Sequence, residues 1–165
     1  MDDEDVSPDE IEFTQKLSET ILRELEWPFE KVEREFRRIE KEFVARAGDN
    51  QEVVLDVKQR VSKQILGAAC RADQPHEVCR KIWEELIERG FSNHETMRNN
   101  TAIYARCCQF NGEFAAGIAV LEPLINEMEQ ALKGKALKKK ERKFYEKDVT
   151  TFRKIRDELE AGIRE

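Results

Sequence analysis

Proline and glycine are scarce, four and seven in 165 residues, and a many-stranded sheet needs more turn-forming residues than that. An all-β fold is excluded, and the abundance of Glu, Lys, Arg and Leu favours helices. Long apolar runs are also missing. The longest, Phe114 to Leu121, ends at Glu122, far short of the ~20 residues that a membrane-spanning helix requires. The first residues, Met1-Asp2-Asp3-Glu4-Asp5, are acidic where a secretory signal is basic and then apolar. A cytoplasmic protein with no membrane partner is expected. The sequence holds no phosphate loop, dinucleotide glycine motif, EF-hand loop or helical zinc motif.

What is present is charge. The chain is 39% charged and 39% hydrophobic, with net charge -6, and its length suits one core of ordinary size. Residues 1–50 carry 16 acids and 8 bases, residues 51–132 carry 12 and 9, and residues 133–165 carry 7 and 12. An acidic head and a basic tail result, which suits either a partner of opposite charge or mutual attraction of the two ends. Residues 1–6 are expected to be a disordered acidic N-terminus, and residues 7–165 a single all-α domain.

Helix signals divide that domain. Ser7-Pro8-Asp9-Glu10 is a capping box that opens a first helix, with an apolar face read as Ile11, Leu17, Ile21, Leu22 and Leu25. Trp27-Pro28 interrupts it and leaves open a hairpin or a kink. A seam at Phe29, Val32, Phe36, Ile39 and Phe43 runs to Gly48. The third helix, from about Gln51, ends at Ala72-Asp73-Gln74-Pro75, and a fourth runs from Pro75 to Arg89, stopped by Gly90. Ser92-Asn93-His94-Glu95 is a second capping box that opens a fifth helix, ended by Asn111-Gly112. A sixth spans about Glu113–Leu132, where Pro123 predicts a kink or one lost hydrogen bond. The last, from Lys138 to about residue 163, carries Tyr145, Val149, Phe152, Ile155 and Leu159 on one stripe.

Residues 60–128 also repeat. Laying Leu66-Gly67 over Tyr104-Ala105, an offset of 38, aligns Cys70 with Cys108, Cys79 with Gly117 and Trp83 with Leu121. Leu66, Gly67, Cys79 and Trp83, and then Tyr104, Ala105, Gly112, Gly117 and Leu121, resemble tetratricopeptide repeats, although that family's usual spacing is ~34 and neither unit has its closing proline. The resemblance implies antiparallel hairpins stacked as a short solenoid, with the flanking helices as caps. A plain helical bundle is the alternative. The small residues Gly67 and Ala105 are expected at close helix crossings, and Trp83 is expected to be buried.

Little in the sequence points to catalysis or metal. Cys70, His76 and Cys79 form C-x5-H-x2-C, which is not a recurring zinc pattern, and the neighbours Cys107 and Cys108 point about 100° apart on a helix. All four cysteines read as free thiols, with no cofactor and no metal expected. Carboxylate pairs such as Glu84-Glu85 sit on solvated faces, so no enzyme is expected. Residues 133–143 hold seven bases in eleven and could contact nucleic acid or anionic lipid, but they lack interleaved aromatics, and the acidic whole argues against nucleic acid. The resemblance implies a concave groove lined by Gln64, Arg71, Asn99, Arg106 and Gln109, which would bind a protein or peptide with acidic groups. It does not reproduce the family's chaperone-tail carboxylate clamp. The function expected is a small protein-binding adaptor or chaperone-like protein. A nucleic-acid binder using residues 133–143 and an immunity or antitoxin protein are the alternatives. Arg89 is expected on the outer face.

Overall fold

Seven helices form among the described residues, each along an apolar stripe, and the first, third and fifth begin with a side-chain cap. The computed structural model describes residues 6–91 and 93–165, and they are all-α: α1 (Pro8–Arg23), α2 (Phe29–Ala47), α3 (Gln51–Arg71), α4 (His76–Arg89), α5 (His94–Phe110), α6 (Phe114–Lys133) and α7 (Lys139–Arg164). Ser7 Oγ accepts the Glu10 amide at 3.2 Å with Pro8 following it, and Asn50 Oδ1 does the same for Val53, each relieving one orphan donor of a helix start. α5 is capped by Asn93, whose Oδ1 accepts Thr96 N at 2.8 Å. The expected Ser92 cap and the first five residues, four of them acidic, lie outside the described residues. Pro123 sits inside an unbroken α6.

The chain packs as two units, Met1–Gln74 with Lys81–Ser92 and Pro75–Arg80 with Asn93–Glu165. In the first, Phe13 stacks near Phe43 at 5.0 Å, Lys16 meets Glu42, and Arg46 meets Asp9 and Glu12. These pairings make α1 and α2 antiparallel. Pro28, the extended N-cap of α2, therefore closes a hairpin rather than kinking a continuous helix. α3 runs back alongside α1, with Arg60 on Glu10 and Thr14. Phe13, Phe36, Ile39, Ile65 and Leu66 are almost fully enclosed, each worth about 1.5–3 kcal/mol over an exposed side chain.

The face of α1 differs from the sequence reading. Phe13, Leu17 and Thr20 are buried, whereas Ile11 and Leu22 are exposed. Leu22 lies about 140° around the helix from Leu17, so the two cannot share a core stripe. Arg89 differs as well. Instead of facing outward it donates to Ser62 Oγ at 2.8 Å, pairs with Glu85 at 2.8 Å and approaches Glu40 Oε1 at 2.5 Å. Glu85 in turn takes both Arg37 Nη atoms, at 2.5 and 2.6 Å. A mostly enclosed ionic cluster results, in which every charge has an opposite neighbour, as enclosed charges require.

The second unit is another up-down-up arrangement. His94 meets Glu127 and Cys108 approaches Gly117, making α5 and α6 antiparallel; Arg153 meets Glu129 and Gly162 faces Phe114, making α6 and α7 antiparallel. Leu121, Leu124, Ile125 and Met128 of α6 pack with Val149, Phe152, Ile155 and Leu159 of α7. Arg142 donates to the carbonyls of Leu132 and Gly134 and ties down the link between those helices.

The ends of α3 and α5 share their local geometry, at an offset that differs from the one expected. After α3, Gln74 N bonds Ala69 O and Asp73, at φ 51°, bonds Cys70 O; after α5, Glu113 N bonds Cys108 O and Gly112, at φ 71°, bonds Gln109 O. Both are helix ends with a left-handed residue closing the turn, and they correspond at 39 residues, not 38. Burial agrees. The seven buried residues of α5, from Arg98 to Cys108, each fall 39 positions after a buried residue of α3. In this register Tyr104-Ala105 correspond to Ile65-Leu66. Gly67 then loses its place in the aligned signature, and a Cβ there would first meet the Arg71 guanidinium of its own helix, at 2.9 Å. The glycines at tight helix crossings are Gly117, against Leu159 and Cys108, and Gly162, against Phe114.

Candidate interaction surface

α1 ends at Arg23 because Pro28 forbids its continuation; Leu22 stands on the solvent side of its last turn and Leu25 in the turn that follows. They are 72% and 92% exposed. Trp27, half-buried beside them, has the Lys31 ammonium 4.2 Å from its ring centroid and the Arg23 guanidinium at 5.8 Å, both within cation–π range. Behind Leu25 a cavity of about 140 Å³ opens between the hairpin tip and the end of α3, lined by Glu24, Leu25, Trp27, Phe29, Val32, Ala68, Arg71 and Ala72. At its rim Arg71 holds Glu24 by two parallel bonds, both 2.7 Å, the planar fork that guanidinium and carboxylate prefer. Gly67 leaves room for that guanidinium.

Of the five residues expected to line a groove, Gln64 and Arg71 lie in the first unit, with Gln64 half-buried and Arg71 exposed at the cavity rim. Asn99, Arg106 and Gln109 lie in the second, Asn99 exposed and the others half-buried. Arg106 is already paired, donating to Glu158 Oε2 and Gln109 Oε1 at 2.6 Å each, while Gln109 Nε2 donates to the same Glu158 oxygen at 3.2 Å. These bonds hold the Glu158 carboxyl below the usual carboxylate range. Both guanidinium groups expected to greet a partner's acid thus hold an internal acid, Glu24 and Glu158. Leu22, Leu25 and Trp27 were not among the expected binding residues, because Leu22 and Leu25 had been counted into a core stripe. The helical-wheel angle was the signal available.

A second polar constellation lies in the other unit. Arg98, buried, donates to Asp148 Oδ2 at 2.6 Å and to His94 Nδ1 at 2.5 Å, and lies 4.7 Å from the Tyr145 ring centroid. Because a guanidinium only donates, His94 Nδ1 accepts and Nε2 carries the proton toward Glu127 Oε1, 3.1 Å away. Every member binds another member, so the group fastens α5, α6 and α7 together. His76 Nε2 likewise lies 3.1 Å from Tyr104 Oη, and no group of three His, Cys, Asp or Glu among the described residues could hold a metal ion. All four cysteines are free. Burial pushes the Cys108 thiol up to about 11, with nearby Cys79 adding to the effect and a hydrogen bond with Tyr104 opposing it. No helix among the described residues is long and apolar enough to cross a membrane.

No protein-family model matches the chain, and neither a curated protein nor a solved structure is similar to it.

Proposed function

We propose that this chain is a small protein-interaction module, a non-enzymatic adaptor or chaperone-like protein of the cytoplasm, and that α3–α4 and α5–α6 are tandem tetratricopeptide-like hairpins of a short solenoid flanked by capping helices. The repeated turn and burial at 39 residues support the repeat. One observation carries the function: a leucine 92% exposed beside an apolar cavity with a guanidinium–carboxylate fork at its rim. Exposed leucines grouped with an aromatic cost solubility in a free protein and mark contact sites. Protein interfaces place an apolar anchor in a desolvated centre with charged groups around it. The partner supplies an apolar side chain to the cavity and a carboxylate that exchanges with Glu24 on Arg71.

Affinity capture on the immobilised chain, with mass spectrometry at low and moderate salt, tests this reading. One stoichiometric protein should be retained by the native chain and lost by Leu25→Asp and Arg71→Glu, with helicity unchanged in both. Retention of the same protein by both variants, or of none by the native chain, removes the hairpin tip as the binding site.

A further inference from the structure

Many arginines of this protein are used internally, while one group of lysines is not. Arg37, Arg46, Arg71, Arg89, Arg98 and Arg106 each hold a carboxylate. By contrast Lys135, Lys138, Lys139, Lys140, Lys143 and Lys147 are all exposed, and no ammonium group of theirs makes a hydrogen bond or an ion pair among the described residues. The tying down of this link falls to Arg142, through the Leu132 and Gly134 carbonyls. The lysines therefore hold nothing in the fold, and gathering them costs mutual repulsion, more so because α7 starts with Lys138 as a cap without a side-chain bond and places bases at its positive end.

Their arrangement is that of a face. Val149, Phe152, Ile155 and Leu159 are the buried stripe of α7. Lys140, Lys143 and Lys147, spaced three and four apart, lie on the opposite side by the 3.6-residue turn. Phe144, 52% exposed, sits at the edge of that face. We propose that the start of α7 and the link before it form a peripheral docking face for an anionic lipid surface, with the lysines over the headgroups and Phe144 entering the acyl boundary. Charge complementarity names the occupant class: clustered bases on a helix are drawn to anionic leaflets, and the attraction acts locally because the Debye length is about 8 Å at physiological salt, so the net acidity of the chain does not cancel it.

Two features favour lipid over nucleic acid. The cations are lysines, point charges on flexible stems, whereas recognition of individual phosphates and base edges draws on arginine forks. A strand-binding surface stacks successive bases on several aromatics, and this face offers Phe144 alone. A chain without a spanning segment was expected to have no membrane partner, but electrostatic attachment needs no such segment.

The experiment is cosedimentation of the full chain with vesicles of phosphatidylcholine, with and without roughly 30% phosphatidylserine, at low and at about 0.15 M salt. Binding is expected only with phosphatidylserine and should weaken with salt. The triple variant Lys140→Gln, Lys143→Gln, Lys147→Gln should bind roughly tenfold to hundredfold more weakly. It relieves repulsion at a helix start, so a lowered melting temperature is not the expected cause of lost binding, and Lys41→Gln serves as the exposed control. Phe144→Ala should weaken binding about tenfold and leave its salt dependence in place. Absence of binding to the anionic vesicles, undiminished binding by the triple variant, or tighter binding to a single-stranded RNA of roughly 20 nucleotides than to the vesicles would each overturn the proposal, the last in favour of nucleic acid.

Discussion

Gly117 lies directly under Leu159: a Cβ built on it would stand 2.9 Å from Leu159 Cδ1 and 3.2 Å from Cys108 Cβ. This contact brings α6 close to both α5 and α7, and the absent side chain is filled by the branched end of a leucine. Gly117→Leu should therefore overpack the second core and cost about 1–3 kcal/mol. Gly67→Ala meets only the far end of the flexible Arg71 side chain and gains about 0.5–1 kcal/mol of helix propensity, so it should not destabilise the chain. Thermal or denaturant unfolding of the two variants checks the contrast, and equal losses would contradict it.

Arg89 is the hub of the ionic cluster that joins α2, α3 and α4 within the first unit. Arg89→Ala leaves Glu40 with only the longer Arg37 contact, at 3.5 Å, and removes charged hydrogen bonds of the kind worth about 1.5–3 kcal/mol. A loss near that range in urea unfolding is expected, whereas Arg34→Ala, at an exposed position of α2, should change stability by less than about 0.5 kcal/mol.

Acid should destabilise the fold in a defined direction. Burial alone would raise the Glu85 carboxyl, but the Arg37 hydrogen bonds and the charges of Arg37 and Arg89 outweigh it and hold Glu85 below the ordinary value. A depressed carboxylate adds stability that is present above its unfolded pKa, near 4.5, and is lost as pH falls through the lower folded value. Melting temperature should decline below about pH 4.5, and Glu85→Gln should flatten part of that decline.

Cys108 gives the opposite edge. With its thiol raised by burial to about 11 from 9.0, the folded state keeps the proton longer than the unfolded chain does. Its contribution is whole below about pH 9 and lost as pH rises toward 11. Alkylation at pH 8 should modify half-exposed Cys70 well before Cys108, read by mass spectrometry of the peptides. All four thiols should react in denaturant without reductant.

The two matched turns make a further pair. Asp73 occupies the left-handed position that Gly112 fills 39 residues later. Asp73→Gly should stabilise by up to about 1 kcal/mol, and Gly112→Ala should cost roughly 1–2 kcal/mol, both measured by unfolding.

Much of this architecture was legible because helix ends are local. Ser7, Pro8, Pro28, Gly48, Gly90 and Gly112 act on backbone groups within a few residues, and the helices begin and end within a residue or two of where those signals place them, except that α1 ends at Arg23, four residues short of Trp27. Faces were harder. In a helix as rich in both charge and apolar groups as α1, the buried stripe is settled by what packs on it, and Phe13 is selected by Phe43, thirty residues away. Arg89 looked like an ordinary surface base because Glu40 and Ser62 are distant in sequence. The repeat offset was misjudged by one because Leu66-Gly67 resembles Tyr104-Ala105 in size, whereas burial follows position in the turn. Of the groove residues, the charges of Arg71 and Arg106 were evident, but their capture by Glu24 and Glu158 depends on helix pairing. Leu25 was visible as a leucine and not as an exposed one.

The matched turns also bear on how quickly this protein reaches its native state. Each closes through bonds between residues at most five apart, so α5 meets α6 with little chain to bring together, as α1 meets α2 across the separate short turn before Pro28, and the entropy of loop closure at each step is small. A helical chain assembled from such local encounters belongs with the fast folders, in the microsecond to millisecond range. Exposed Leu22 and Leu25 therefore spend little time in company with an unfolded core, and their aggregation risk falls on the finished protein, when no partner covers them.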